Sequence, residues 1–139
     1  MKVLELFSGT KSFTKECLKH GWECFTIDNN CKLNPDLCKD ILDLTIQDIP
    51  FKPDIIWASP PCTCFSVASI GTHWTGGKKG YVPKSDNCKV ALQIIEKTLD
   101  IIKEIDPQFY IIENPRGVMR KLSIVMYQHQ EEVKQALRD

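Results

Sequence analysis

Four short apolar runs, each stopping at a polar, glycine-bearing or proline-bearing segment, limit what this chain can fold into. They are Lys2-Val3-Leu4-Glu5-Leu6-Phe7 before Ser8-Gly9-Thr10, Glu23-Cys24-Phe25-Thr26-Ile27-Asp28, Asp54-Ile55-Ile56-Trp57-Ala58 before Ser59-Pro60-Pro61-Cys62, and Phe109-Tyr110-Ile111-Ile112-Glu113. Runs so short and so apolar read as buried strands. Phe13, Cys17 and Leu18 at helical spacing predict a helix over about 11–20 ended by Gly21. A longer stripe of Ala91, Ile94, Ile95, Leu99, Ile102 and Ile105 predicts another, stopped by Pro107, and Leu122, Met126, Val133 and Leu137 predict a last amphipathic helix. Strand, helix and strand within the first thirty residues require a parallel crossover unit. The fold class is therefore α/β, a doubly wound and mostly parallel sheet. Residues 63–87, with Gly71, Gly76, Gly77, Gly80 and Pro83, read as a long loop without regular pattern, and such loops are usually functional.

The composition narrows the setting. A length of 139 residues with 42% hydrophobic and 26% charged side chains is that of one ordinary globular domain and not of a disordered chain. No apolar run approaches the ~18–20 residues that cross a bilayer, and the acidic start at Met1 is no signal peptide, so a soluble, cytoplasmic protein is expected. Seven cysteines, odd in number and scattered, predict reduced thiols rather than a secreted disulfide framework. The net charge of zero argues against a broad basic face for nucleic acid. Charge is nonetheless uneven: residues 1–62 sum to −2, 63–92 to +3 and 93–139 to −1. Arginine, the side chain best suited to reading guanine, occurs only at positions 116, 120 and 138.

In an open parallel sheet, ligands bind outside the carboxyl ends of the strands. Four segments fall there: Phe7-Ser8-Gly9-Thr10, Asp28-Asn29-Asn30, Ser59-Pro60-Pro61-Cys62 and Glu113-Asn114-Pro115. A carboxylate such as Asp28 at the end of the second strand can accept hydrogen bonds from both hydroxyls of a ribose, which points to an adenosine-bearing cofactor. One glycine in the first turn, where a dinucleotide fingerprint has three, disfavours NAD. Asp40 can receive an adenine amine, and can equally cap a turn. Two prolines ahead of Cys62 present its thiol rigidly at the ligand edge, an arrangement better suited to a nucleophile than to packing. Cys64 opens a Cys-x-Cys reading, but with no second pair at zinc spacing no metal is expected. Glu113, desolvated at the end of so apolar a strand, is placed to donate a proton near neutrality.

Taken in order, these motifs resemble the DNA (cytosine-5) methyltransferases. The likeness runs from Leu4-Glu5-Leu6-Phe7-Ser8-Gly9 through Asp28, Asp40-Ile41 and Ser59-Pro60-Pro61-Cys62-Thr63-Cys64-Phe65-Ser66 to Glu113-Asn114-Pro115-Arg116-Gly117, and so over roughly residues 2–121. Its details are most similar to phage or prophage members, and the family brings with it DNA methylation and restriction-modification. The resemblance implies a Rossmann-like fold that binds S-adenosyl-L-methionine through Phe7, Ser8, Gly9, Thr10 and Ser12, with Asp28 and Asn29 at the ribose, Asp40 and Ile41 near the adenine, and Pro60 beside them. It implies that Cys62 attacks carbon 6 of a cytosine flipped out of DNA, that Glu113 protonates ring nitrogen 3, that Asn114 orients the catalytic loop and that Ser66 with Lys78, Lys79 and Lys84 meets phosphate. Family members carry, after the Glu-Asn strand, an arginine-bearing motif, a target-recognition domain and closing strands, none of which is found between Gly117 and Asp139. The expectation is thus a single partial catalytic domain over 1–139, its sheet truncated at the C-terminal strands. Two related readings use the same residues: a non-catalytic remnant that binds S-adenosyl-L-methionine, and one subunit of a split enzyme completed by a complementary polypeptide or a second copy. A third, transfer to an exocyclic amine, follows from Ser59-Pro60-Pro61, but its pattern wants an aromatic where Cys62 stands.

Overall fold

The computed structural model of the protein describes residues 1–76 and 81–113. In chain order these form β1 (Lys2–Leu6), α1 (Ser12–Lys19), β2 (Glu23–Asp28), β3 (Leu37–Cys38), β4 (Ile55–Ala58), α2 (Ile70–His73), β5 (Trp74–Thr75), β6 (Val82–Pro83), α3 (Asp86–Ile105) and β7 (Phe109–Ile112). Single 3-10 turns lie at Cys31–Leu33, Ile41–Asp43, Ile46–Asp48 and Val67–Ser69. The chain divides into two compact units, the first holding 1–61 and 92–113 and the second including 62–76 and 81–91.

The first unit is a five-stranded sheet in the order β3-β2-β1-β4-β7, and every pairing in it is parallel. The doubly wound α/β class expected from the apolar runs is the one found. Successive residues of a strand point to opposite faces, so each strand contributes to two cores. On one face Leu4, Leu6, Ile27, Ile56 and Ala58 pack with Ile101, Ile102 and Ile105 of α3 and with Ile41, Leu44 and Ile49 from the turns. On the other, Val3 and Ile55 pack with Cys17 of α1, flanked by Phe13, Trp22, Cys24 and Phe109. With both faces covered, the strands read as continuous apolar runs and not as alternating ones.

One charge sits inside this arrangement. Glu5, in the middle of β1, is only 4% exposed, and its Oε2 accepts the backbone N–H of Thr14 at 3.0 Å. The N-cap position of α1, Lys11, provides no side-chain cap of its own, so the strand beneath supplies the acceptor and a negative charge at the helix start.

Two expectations need correction. The stretch 63–87 is not an irregular loop: it holds a 3-10 turn, α2, an antiparallel β5–β6 ladder pairing Trp74 with Pro83 and Thr75 with Val82, and the start of α3. Two-residue strands and a four-residue helix span at most about one repeat of their patterns, too little to leave a periodic trace. In this second unit the anchors are aromatic. Phe65 is fully buried, and Trp74, 3% exposed, donates from Nε1 to the Cys64 carbonyl at 2.7 Å. The thiols are also not all reduced, because Cys31 and Cys38 form a disulfide. The short β3 pairs Cys38 with Asp28, while Asn30 caps the turn that starts at Cys31, which brings the two Cα atoms within 5.2 Å. The helix expected over 122–137 lies outside the described residues. Among those described, no helix is long and apolar enough to cross a membrane.

Candidate active site

The strand order places a switch point between β1 and β4: the chain runs outward from β1 to β2 and β3, then returns to the other side of β1. At such a point the crevice at the carboxyl ends is open to a ligand. Leu6 pairs with Ala58 there, and Ser59 N–H donates to the Leu6 carbonyl at 3.3 Å, so the turn after β1 and the Ser59-Pro60-Pro61 segment lie side by side.

The turn after β1 is unusual in its backbone. Phe7, Gly9 and Lys11 all have positive φ, at 57°, 48° and 60°. A bulky side chain such as Phe7 rarely adopts this conformation, and residues held in it cluster at ligand clamps. The turn is closed by Ser8 N–H on the Ile27 carbonyl at 3.1 Å and by Lys11 N–H on the Ser8 carbonyl at 2.6 Å. Thr10 and Ser12 hydroxyls lie 3.2 Å apart, and Lys11 Nζ reaches the Asn34 carbonyl. Ser8 is buried at 5% exposure, yet among the described residues its Oγ has no hydrogen-bond partner. An unsatisfied buried hydroxyl is uncommon enough to require a reason.

Asp28 organises the neighbouring strand end. Its Oδ2 accepts Gly9 N–H and its Oδ1 accepts Asn30 N–H, both at 2.8 Å, while its carbonyl accepts Lys39 N–H at 3.0 Å. An ionised carboxylate has about four acceptor positions, so two backbone amides leave two more. Asn29 is exposed beside it, and its carbonyl receives the Cys38 contact. Asp40 caps the turn that follows, accepting Leu42 N–H at 2.9 Å, and Ile41 is buried in the core rather than presented to solvent. Pro60 is buried and Pro61 exposed.

Glu113 follows β7 directly, with its N–H on the Ala58 carbonyl at 2.8 Å and its Oε2 accepting from Ser59 Oγ at 3.0 Å. Its side chain is solvent-exposed and not desolvated as the apolar run implied, since it lies one residue past the last ladder pair. Asn114 lies outside the described residues. The second unit carries Cys62, half-buried, at the head of a turn closed by Phe65 N–H on its carbonyl at 2.9 Å. Ser66 Oγ is 3.0 Å from Ser69 Oγ, which donates to the Thr63 carbonyl at 2.7 Å, so the residues after the cysteine are tied down. Lys84 Nζ donates to the Gly71 carbonyl at 2.5 Å, and Lys78 and Lys79 lie outside the described residues.

The other free thiols differ from Cys62 in their surroundings. Burial, with the neighbouring Cys24 thiol adding to it, pushes Cys17 up to about 11, and burial raises Cys88 as well. A thiol held neutral and buried reacts slowly. Iodoacetamide treatment of the native protein at pH 8 is expected to alkylate Cys62 at least about tenfold faster than Cys17 or Cys88. Peptide mapping over a time course checks this, and equal rates would contradict it.

A parallel sheet with a strained turn, an organising carboxylate and a proline-stiffened segment at its switch point defines a Rossmann-like α/β protein with its ligand edge at the carboxyl ends of β1, β2 and β4. More particularly, the chain belongs to the C-5 cytosine-specific DNA methylases, whose family model matches residues 1–133. It is 34% identical over 132 residues to the probable DNA (cytosine-5)-methyltransferase of Frog virus 3, covering 93% of this chain and 60% of that protein. It is 28% identical over 136 residues to the type II methyltransferase M.FnuDI of Fusobacterium nucleatum, covering 87% of this chain and 34% of the relative. The chain thus spans less than two-thirds of the length of either.

Sequence reasoning assigned no site role to Glu5, Trp57 or Phe13, and took Ser59 only as part of the Ser59-Pro60-Pro61-Cys62 segment. A carboxylate in the middle of an apolar strand was a visible signal for Glu5. For the other three the contacts depend on strand register and on where α1 lands, which one-dimensional spacing does not reveal.

Proposed function

We propose that this chain binds S-adenosyl-L-methionine and carries the nucleophile and proton donor for methylation of cytosine carbon 5 in DNA. The observation that carries the cofactor part is a buried, unpartnered Ser8 hydroxyl in the turn whose Gly9 N–H Asp28 holds, while Asp28 keeps two acceptor positions beyond those taken by Gly9 and Asn30. Ser8 and the backbone of Phe7, Gly9 and Thr10 would hold the cofactor, Asp28 and Asn29 its ribose, Asp40 and Ile41 its adenine end. When bound, the cofactor supplies an electrophilic methyl group on a sulfonium.

The remaining chemistry falls to the chain's own residues. Cys62, as thiolate, forms a bond to carbon 6 of the cytosine, which makes carbon 5 nucleophilic. Glu113 gives a proton to ring nitrogen 3 as the ring takes up electron density. Carbon 5 takes the methyl group, and its own proton is then lost to water or hydroxide. The electron pair of that bond re-forms the carbon 5–carbon 6 double bond and expels the thiolate, while nitrogen 3 returns its proton to Glu113. A cytosine inside a duplex exposes neither atom, so the substrate is an extruded base. Ser66 meets the DNA backbone, and Asn114 orients the catalytic loop. Residues 1–139 thus act as one catalytic domain, in the cytoplasm, with DNA as partner.

The test supplies the protein with DNA and methyl-labelled S-adenosyl-L-methionine, digests the DNA and locates the label. Label on carbon 5 of cytosine is the expected result. Label on an exocyclic amine would overturn it in favour of amino transfer. Heat of cofactor binding with no label in DNA would leave a cofactor-binding module, and absence of both would overturn the cofactor site itself.

A further inference from the structure

The β4–β7 ladder ends on the pair Ala58 and Ile112, so Ser59 and Glu113 are the next residues across from each other. Trp57, two residues before Ser59, shares its face of the strand. Three side chains there form a directed chain. Trp57 Nε1 donates to Ser59 Oγ at 2.9 Å, and Ser59 Oγ donates to Glu113 Oε2 at 3.0 Å. The indole is held from the other side by Phe13 of α1, which stacks on it with ring centroids 4.4 Å apart and planes 17° from parallel.

The direction of this chain follows from its first member. An indole N–H can only donate, so the Ser59 oxygen must accept from it, and the arrangement in which every proton has a partner sends the serine proton to Oε2. A neutral Glu113 carboxyl then carries its proton on Oε1, because a proton on Oε2 would face that of Ser59. We propose that Ser59, oriented by Trp57, is a positioning residue that selects Oε1 of Glu113 as the oxygen that exchanges a proton with the base. This rests on the reading of Glu113 as proton donor. In the step it serves, the Cys62 sulfur bonds to carbon 6, the carbon 5–carbon 6 electron pair moves into the ring, and nitrogen 3 takes the proton from Oε1. After carbon 5 has taken the methyl group, loss of its proton to water or hydroxide re-forms the carbon 5–carbon 6 double bond and expels the thiolate, and the nitrogen 3 proton returns to the same oxygen. A carboxyl free to rotate would present the proton in the productive direction only part of the time.

The test uses the full polypeptide with Ser59→Ala, Ser59→Thr, Trp57→Phe and Glu113→Gln. Ser59→Ala is expected to lower kcat about tenfold with KM for DNA within about twofold, about the worth of one hydrogen bond. Ser59→Thr, which keeps the hydroxyl, restores most of the rate. Trp57→Phe, which keeps the stack on Phe13 but removes the N–H, lowers kcat in the same direction, and its effect does not add to that of Ser59→Ala. A second readout needs no turnover: the Trp57 indole N–H resonance should shift with pH as Glu113 takes up its proton. That dependence should vanish in Glu113→Gln and in Ser59→Ala. An indole resonance indifferent to both substitutions, or an unchanged kcat in Ser59→Ala alongside an inactive Glu113→Gln, would overturn the positioning role. If the resonance behaves as described while Glu113→Gln remains fully active, the relay stands as geometry, and it is the proton-donor reading of Glu113 that fails, taking the selection of Oε1 with it.

Discussion

Replacing Cys62 with serine should abolish covalent capture of DNA containing 5-fluorocytosine. With the wild-type thiol, addition to carbon 6 is followed by substitution at carbon 5, and release then requires a proton to leave that carbon. Fluorine occupies the position and cannot leave as a cation, so the enzyme remains attached through the sulfur–carbon bond. A serine hydroxyl is a far weaker nucleophile at neutral pH because it is almost wholly protonated, and turnover should fall on the order of 10⁴-fold or more. The substitution removes one atom's chemistry and little packing, since Cys62 is only half-buried. Its turn is closed through its own backbone carbonyl, which serine keeps. Thermal unfolding of the variant should therefore match the wild type. A denaturing gel reads the adduct directly: a slow-migrating band with the wild type, dependent on cofactor, and none with Cys62→Ser. A band that survives the substitution would assign the attack to another residue.

The parallel sheet was legible in the sequence because four of the five strands of the first unit are short, mostly apolar runs, largely buried in β1 and β4 and only partly so in β2 and β7. The fifth, Leu37–Cys38, has two residues and gave no signal. The same limit hid the elements of 63–87. The turn after β1 was legible as a turn through Gly9, but its strain was not. The positive φ of Phe7 and Lys11 follows from three-dimensional closure onto Ile27 and Asp28, and no residue preference announces it. Lys11 adopts the left-handed conformation that a glycine takes at no steric cost. Ser59 reads in sequence as the residue ahead of a proline pair. Only register, by setting it across from Glu113, gives it a role.

The ends of β1 and β2 yield the other large effect, with opposite signs for two neighbouring residues. Asp28→Ala removes the acceptor of both Gly9 N–H and Asn30 N–H. The Gly9 bond is partly buried and the Asn30 bond is exposed, so the loss of stability should come mostly from the first and amount to about 1–3 kcal/mol. Affinity for S-adenosyl-L-methionine should fall about 100-fold or more, since two hydroxyls lose a charged acceptor worth about 1.5–3 kcal/mol each. Asp28→Asn keeps one acceptor oxygen but turns an N–H toward a backbone donor, so it should recover little. Ser8→Ala behaves differently, because the Ser8 hydroxyl is buried without a partner in the free protein. Removing it relieves a desolvated polar group and should leave stability unchanged or raise it by up to about 1 kcal/mol, while weakening cofactor binding by about tenfold through the bond that the hydroxyl would make. Calorimetric titration with paired thermal melts checks both residues. A purely structural turn would have no affinity to lose at either position. A cofactor site separates the two measurements at Ser8, where the less stable protein is the one that binds, because the hydroxyl finds its partner only in the complex.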